Sequence, residues 1–151
     1  MKNNAYFDEM IRTLRDVGEK RSTHKARKEE IINTHGWGSD ELKAWYAEEE
    51  RDFRNPFTSG ACKALRAWEN SDGDEVIFDD FCWDHEWHDF IDTLRKAGFT
   101  TFVTIDHSTA LMENLHGFTA EGCTMAGLCT ITEKSRWDDT EKQIPGIRFI
   151  L

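Results

Sequence analysis

Apolar residues recur at helical spacing through the first half of the chain. The stripe of the first predicted helix is formed by Tyr6, Phe7, Met10, Ile11, Leu14 and Val17. This helix is predicted to end at Gly18, and a second, peripheral helix is predicted over 22–34. Ser39 is a suitable N-cap for a third helix, and Asn55 and Pro56 mark the boundary to a fourth. The pattern therefore predicts a helical N-terminal half.

The second half alternates between strand-like and helix-like patterns. Residues 75–78 and 99–105 are predicted strands, the latter because β-branched and aromatic residues dominate it. Between them lies the clearest amphipathic helix of the chain, closed by Gly98, with a stripe of Trp83, Trp87, Phe90, Ile91 and Leu94. A strand, a helix and a strand in this order predict a βαβ unit with parallel strands and a right-handed connection.

A further helix and two strands complete the pattern. The helix is predicted from about residue 108 to Gly122, and its apolar face carries Leu111, Met112, Leu115 and Phe118. The two strands, over 128–132 and 146–151, are separated by a polar stretch that contains Pro145. They are expected to form a hairpin across this stretch.

Together these elements predict an α+β fold with an α/β-like C-terminal half. A small sheet of three or four strands, with the βαβ unit and the C-terminal hairpin, is expected to pack with an N-terminal helical layer. The 151 residues fit a single domain over 1–151, with a helical part at 1–72 and an α/β part at 73–151. The chain has no run of the length of a membrane span and no apolar signal core, so we expect a cytoplasmic protein with reduced cysteines.

The net charge of −10 is distributed unevenly along the chain. Between Arg66 and Arg95 there are ten carboxylates and no Lys or Arg, whereas residues 20–28 form a short basic cluster. A protein with this net charge is not expected to bind nucleic acid or an anionic membrane over its whole surface, because like charges repel. A solvated surface is the simpler interpretation, and a docking face for a basic partner is the functional one. The residues proposed for that face are Asp79, Asp80, Asp84, Asp89 and Asp92.

Residue types that bind metals are densest around the start of the helix after strand 75–78. Cys82, His85 and His88 are three residues apart, so on a helix their side chains could converge on one ion. The helical wheel instead turns His85 away from the core and places His88 at the flank, which favours exposed polar residues. A metal site would also need a fourth ligand, so neither a metal nor another cofactor is expected.

A second polar group, residues 106–109, directly follows the predicted strand 99–105. Its members Asp106, His107 and Ser108 are weak catalytic candidates, because ligands bind beyond the carboxyl ends of strands and helix N-termini attract anions. Neighbours in sequence rarely point at one another as a catalytic triad requires, so helix capping is the simpler interpretation. Glycine-rich nucleotide-binding loops and the zinc-deaminase motif are absent from the sequence.

Four segments of the chain carry a resemblance to other proteins. These are Asn-Pro-Phe-Thr-Ser-Gly at 55–60, together with 92–98, 108–113 and 121–123. They are similar to small uncharacterised proteins of plasmids, conjugative elements and prophages of gut Gram-positive bacteria. The resemblance implies accessory roles in modulating host defence, replication or transfer, and it implies no activity and no catalytic residues.

The sequence thus favours a non-enzymatic accessory protein of a mobile genetic element, which binds a basic or nucleic-acid-handling protein through its acidic face. One alternative is an inhibitor of host defence, of the anti-restriction or anti-CRISPR type, that mimics the charge of a phosphate backbone. Another is a small hydrolase or transferase at the carboxyl edge of the sheet, with Asp79, Asp80, Asp106, His107 and Ser108. Nucleic-acid binding through residues 20–28 is a further alternative, for which the sequence gives a poor signal because aromatic side chains are scarce there.

Overall fold

The computed structural model describes residues 2–105, 110–135 and 137–151. The chain divides into two compact units, one formed by Ala5–Pro56 and a larger one formed by Phe57–Leu151 with the residues before Ala5. The boundary precedes the third helix, because this helix packs against the strand and the helix that follow it in the larger unit.

The smaller unit is a pair of helices, α1 (Ala5–His35) and α2 (Asp40–Asp52), that contact each other. Between them, Gly36 and Gly38 both have a φ of 83°, in the left-handed region that glycine adopts without steric cost. Ser39 caps α2 as predicted, with its hydroxyl oxygen accepting the amide of Leu42 at 3.2 Å.

The predicted break at Gly18 is wrong, because α1 runs through this position without interruption. A glycine inside a helix costs about 1 kcal/mol relative to alanine, but it does not by itself end the helix. The residues that follow are Glu19, Lys20 and Arg21, all good helix formers. Propagation through Gly18 therefore costs less than ending one helix and nucleating a second.

The larger unit contains three helices and a four-stranded sheet. Its elements are α3 (Ser59–Asn70), β1 (Val76–Phe78), α4 (Glu86–Lys96), β2 (Thr101–Ile105), α5 (Leu111–Ala120), β3 (Thr124–Lys134) and β4 (Glu141–Ile150). The strand order is β1-β2-β4-β3, with β1 parallel to β2 and β4 antiparallel to both of its neighbours. The α+β class, the βαβ unit and the C-terminal hairpin are thereby confirmed.

Five phenylalanines form the centre of the core on one face of this sheet. Phe90 of α4 and Phe118 of α5 pack on rings from three strands, Phe78, Phe102 and Phe149. Contacting ring centroids lie 4.5 to 5.9 Å apart, and each of the five residues is at most 1% exposed. Burial of these rings holds α4 and α5 on the same face of the sheet.

Trp83 does not belong to the apolar stripe of α4, contrary to the prediction. The helix begins only at Glu86, and Trp83 lies in the preceding loop with 64% of its surface exposed. The Glu86 carboxylate accepts the amide of Trp83 at 2.7 Å, while the Trp83 carbonyl accepts the amide of Glu86 at 2.8 Å. This reciprocal pair resembles half of a capping box and sets the start of the helix after Trp83.

The buried face of α5 also differs from the predicted apolar face. Asn114, Gly117 and Phe118 are buried, whereas Met112 is 63% exposed. A Cβ atom on Gly117 would overlap the ring of Trp87, which therefore lies directly against the helix at this residue. The close approach of Trp87 explains why the buried face contains a glycine and an amide beside the phenylalanine.

Strands β3 and β4 are longer than predicted, and the loop between them is shorter. Pro145 lies inside β4 opposite Thr130, not in the connecting stretch. On the other side of β4, the pairing with β2 ends at Gly146. Among the described residues, no strand pairs with that side of β4 at residue 145, so the missing amide of the proline is compatible with this position.

The sheet face opposite the phenylalanines carries an ion pair between Arg148 of β4 and Glu75. The guanidinium donates two hydrogen bonds to the carboxylate, at 2.7 and 2.8 Å, and Thr101 donates a third at 3.3 Å. Arg148 lies opposite Val103, which is completely buried. The hydrogen bonds from Arg148 hold the pKa of Glu75 below its ordinary value.

Because this pKa is lower in the folded than in the unfolded protein, Glu75 stabilises the fold above its unfolded pKa of about 4.3, and this contribution is lost as the pH falls through the folded value. As the pH is lowered from about 7 to about 3, we expect the free energy of unfolding to fall less steeply for Glu75→Gln than for the wild type. Urea unfolding at each pH measures this free energy. Asp72→Asn removes an exposed carboxylate and serves as the control. If the free energy of unfolding of Glu75→Gln fell with pH as steeply as that of the wild type, this role of Glu75 would be contradicted.

Candidate interaction surface

The loop between β1 and α4, residues 79–85, carries three of the predicted acidic residues and is fastened by Asn114 of α5. The Asn114 amide donates to the carbonyl of Asp80 at 3.0 Å, and its oxygen accepts the amide of Cys82 at 3.1 Å. The same oxygen accepts the indole N–H of Trp87 at 3.3 Å. Asn114 is only 2% exposed, so these bonds form away from water. These hydrogen bonds connect the loop to α5.

A buried ion pair fastens the loop from the side of α3. The Lys63 ammonium lies 2.7 Å from the Glu86 carboxylate, donates to the carbonyl of Phe81 at 2.5 Å and lies over the Phe81 ring. Burial by itself would raise the pKa of Glu86, but hydrogen bonds from Lys63, Ser59 and Trp83 outweigh it and hold this pKa below its ordinary value. Glu86 is therefore ionised at neutral pH and binds the loop through a charged group.

Helices α4 and α5 form the walls of a groove next to this loop. The groove has a volume of about 400 Å³ and is lined by Asp84, Trp87, Glu113, His116, Gly117, Ala120 and Glu121. Three of these residues are carboxylates, and Trp87 provides an aromatic surface between them. We call this feature the acidic groove.

His88 and Glu121 connect the two helices beside the groove. The imidazole Nδ1 lies 2.8 Å from a carboxylate oxygen of Glu121. This hydrogen bond, with smaller contributions from Asp89 and Asp92, raises the pKa of His88 above its ordinary value. Protonation of His88 therefore offsets part of the negative charge of the groove as the pH falls.

The five predicted acidic residues occupy different environments. Asp79 and Asp84 are exposed in the loop, and Asp84 lines the acidic groove. The Asp80 carboxylate accepts the amide of Phe81 at 2.8 Å, while Asp92 pairs with Lys96 at 2.6 Å. Asp89 is partly covered and lies against α3, where a Cβ atom on Gly60 would be 2.9 Å from the Asp89 Cβ. Of the predicted set, the structure thus brings only Asp84 into the groove.

The weak metal candidates are not arranged as a ligand set. Cys82 is buried in the loop, where burial raises the pKa of its thiol to about 12, whereas a metal needs the thiolate. His85 is exposed at the start of α4, and His88 is engaged with Glu121. Within the described ranges, no three His, Cys, Asp or Glu side chains are placed to hold a metal ion together. The catalytic candidates Asp106, His107 and Ser108 lie outside the described residues.

The basic cluster of the smaller unit is largely paired within that unit. Arg21 donates to Glu49 at 2.7 Å and Arg27 to Glu48 at 2.6 Å. Lys28 lies over the rings of Trp45 and Tyr46, with its ammonium 5.0 and 4.7 Å from the ring centres. A groove of about 690 Å³ in this unit has a lining of both charge signs, contributed by Lys20, Arg27, Glu30 and Glu48. These contacts within the unit explain the presence of much of the basic cluster without a role in nucleic-acid binding.

Three residues of the acidic groove were not among those predicted from the sequence. Glu113, His116 and Glu121 come from α5 and the turn after it, which are more than twenty positions beyond the acidic stretch. The spacing of Glu113, His116 and Gly117 places them on one side of a helix, and this was the available signal. Gly117 lies within α5, and Gly122 with a φ of 84° follows the end of the helix as predicted.

Comparisons with known proteins assign a family to most of the larger unit. No helix in the described part of the chain combines the length and apolar character needed to cross a membrane. Searches of curated proteins and of solved structures returned no match to the chain. Residues 61–151, which include the loop, α4, α5 and the whole sheet, match a family model described as a domain of unknown function. The chain therefore belongs to the DUF7698 family.

Proposed function

We propose that this protein is a non-catalytic interaction module that binds a basic segment of a partner protein in the acidic groove. The observation that carries the proposal is the convergence of Asp84, Glu113 and Glu121 around Trp87 in one groove. Carboxylates accept charge-assisted hydrogen bonds from arginine and lysine, and an indole face attracts the same cations. A basic segment fits this chemistry better than an acidic or a purely apolar one.

The rigid construction of the groove supports the same proposal. Asn114 bonds to the loop and to Trp87, and the Lys63–Glu86 pair holds the other side of the loop. A site that is ordered before binding loses less conformational entropy when its partner arrives. The net charge of −10 would also accelerate the approach of a basic partner.

We further propose that the module acts in the cytoplasm as an accessory protein of a mobile genetic element. The partner proposed from its chemistry is a basic protein, and proteins that handle nucleic acids commonly carry such basic segments. This setting rests on the resemblance of the four segments noted above.

Charge reversal in the groove tests the proposal. The probe is a fluorescein-labelled peptide of alternating arginine and glycine, and binding is followed by fluorescence anisotropy at an ionic strength of about 0.15 M. We expect the double variant Asp84→Lys, Glu113→Lys to bind the peptide about tenfold or more weakly, a loss of about 1.4 kcal/mol. Both side chains are exposed, so the fold should persist, as circular dichroism would verify.

The matched control is Asp72→Lys, Asp74→Lys, which changes the net charge by the same amount at exposed positions outside the groove. Distant charges are screened at this ionic strength, so the control should bind nearly as well as the wild type. Equal weakening of both variants would mean that only the overall charge matters. No weakening of the groove variant would show that the peptide binds elsewhere, and either result would refute the proposed site.

A further inference from the structure

A hydrogen bond beside the acidic groove occupies one of the carboxylates that the groove offers to a basic partner. The imidazole Nδ1 of His88, on α4, lies 2.8 Å from the carboxylate of Glu121, which lines the groove. Arg95 donates to the backbone carbonyl of Glu121 at 3.1 Å. This second bond holds the backbone of Glu121, and the carboxylate itself remains for His88 or for a ligand.

Carboxylates predominate among the described charged groups around His88. Asp89 and Asp92 of the same helix and Glu121 after α5 all favour its protonated form, and the hydrogen bond to Glu121 is the largest influence. The groove beside it is lined by three further titratable groups from the loop and α5, which are Asp84, Glu113 and His116. A proton on His88 is therefore held in an acidic surrounding, mainly by Glu121.

The other elements that pack against α4 meet it through different groups. Helix α3 directs the ammonium of Lys63 to Glu86, at 2.7 Å. The sheet contributes uncharged phenylalanine rings of the core. The thiol of Cys123 lies near Glu121, where burial raises its pKa, so it stays uncharged at neutral pH. Within the described residues, Glu121 is thus the group through which a proton on His88 acts on the groove.

The protonated imidazole of His88 and a cationic side chain of a partner compete for the same carboxylate. The protonated ring donates from Nδ1 and neutralises Glu121, whereas the neutral ring leaves the negative charge available. The hydrogen bond to Glu121 raises the pKa of His88 above the ordinary value of about 6.5, so the proton is lost close to neutral pH. A rise in pH thus returns one carboxylate of the groove to a ligand.

We propose that His88 makes binding in the acidic groove dependent on pH, because it holds Glu121 when protonated and releases it to a basic partner as the pH rises. The inference rests on the function proposed above and adds its regulation. By linkage, a bound basic segment must in turn favour the neutral form of His88. The His88 side chain is 69% exposed, and an exposed charge pair has a modest energy, so we expect a change in affinity of about threefold.

Peptide binding at pH 6 and at pH 8 tests this regulation, since both values lie above the ordinary range of carboxyl groups. The probe is the arginine–glycine peptide with a rhodamine label, because fluorescein itself titrates in this range. We expect the wild type to bind about threefold more tightly at pH 8 than at pH 6. His88→Gln should bind equally at both, with the wild-type affinity of pH 8. Glu121→Gln should bind more weakly and also lose the pH dependence, because the carboxylate under competition is gone.

The matched control is His35→Gln, which removes an exposed imidazole 3.7 Å from Glu41 in the smaller unit and should retain the threefold change. A pH dependence that persists in His88→Gln and disappears in His116→Gln would assign the response to His116 and overturn the proposal. Persistence in Glu121→Gln would do the same, since competition for that carboxylate would then be irrelevant. Circular dichroism would verify the fold of each variant.

The imidazole signal of His88 in NMR spectra gives an independent measurement. Addition of the peptide should lower the pKa of His88, and an unchanged pKa in the complex would overturn the competition. Wild-type binding that is lost in Asp84→Lys, Glu113→Lys but equal at pH 6 and pH 8 would refute this inference alone. Absence of peptide binding at both pH values would refute the proposed function and this inference with it.

Discussion

Replacement of Glu86 by alanine is expected to lower the free energy of unfolding by about 3–5 kcal/mol, the usual cost of removing one partner from a buried ion pair. The side chains of Glu86 and Lys63 are 6% and 14% exposed, so water cannot easily replace the lost carboxylate. Of its contacts within the described residues, the Lys63 ammonium would keep those with the Phe81 carbonyl and ring, and the amide of Trp83 would lose its acceptor. Urea unfolding at neutral pH measures the effect.

Two further variants separate the charge from the packing in this prediction. Lys63→Met combined with Glu86→Leu removes both charges and should recover part of the loss, because a buried pair is often replaceable by apolar residues. Asp92→Asn removes one partner of the exposed pair with Lys96 and should change the stability little. A loss for Glu86→Ala no larger than that of Asp92→Asn would contradict a stabilising role for the buried pair.

The parts of the fold that were predictable are those determined by local periodicity. β2 was predictable because its β-branched and aromatic residues leave few alternatives, and the burial of Phe90 followed from the apolar stripe of α4. The start of α4 was not predictable, because Trp83 continues the apolar spacing of the helix. In the structure Trp83 lies before the helix, where its amide donates to the Glu86 carboxylate. Apolar spacing cannot distinguish a tryptophan on the helix from one in the turn before it.

The acidic groove was only partly predictable for a related reason. Asp84 belongs to an evident run of carboxylates, but Glu113 and Glu121 reach the groove through the packing of α5 on α4. This packing depends on Gly117, where the missing side chain admits the Trp87 ring. A contact of this kind pairs residues thirty positions apart, and the sequence of either helix alone contains no sign of it.

Replacement of Asn114 by alanine should be the second most damaging of the proposed changes, with an expected loss of about 2–4 kcal/mol. The carbonyl of Asp80, the amide of Cys82 and the indole N–H of Trp87 would all lose their partner in Asn114. Unpaired polar groups in a buried position are costly because neither water nor another side chain replaces the bond.

The loss should also be local, because these bonds fasten the loop at residues 79–85 and one wall of the acidic groove. We expect the Cys82 amide and the Trp87 indole proton to exchange faster with solvent in Asn114→Ala, as measured by hydrogen exchange with NMR detection. Asn33→Ala, at an exposed position of α1, is the matched control and should leave both rates unchanged, since alanine favours the helix there. Unaltered protection of the Cys82 amide in Asn114→Ala would show that the loop is held without this residue. The rigidity proposed for the groove would then have to come from the Lys63–Glu86 pair alone.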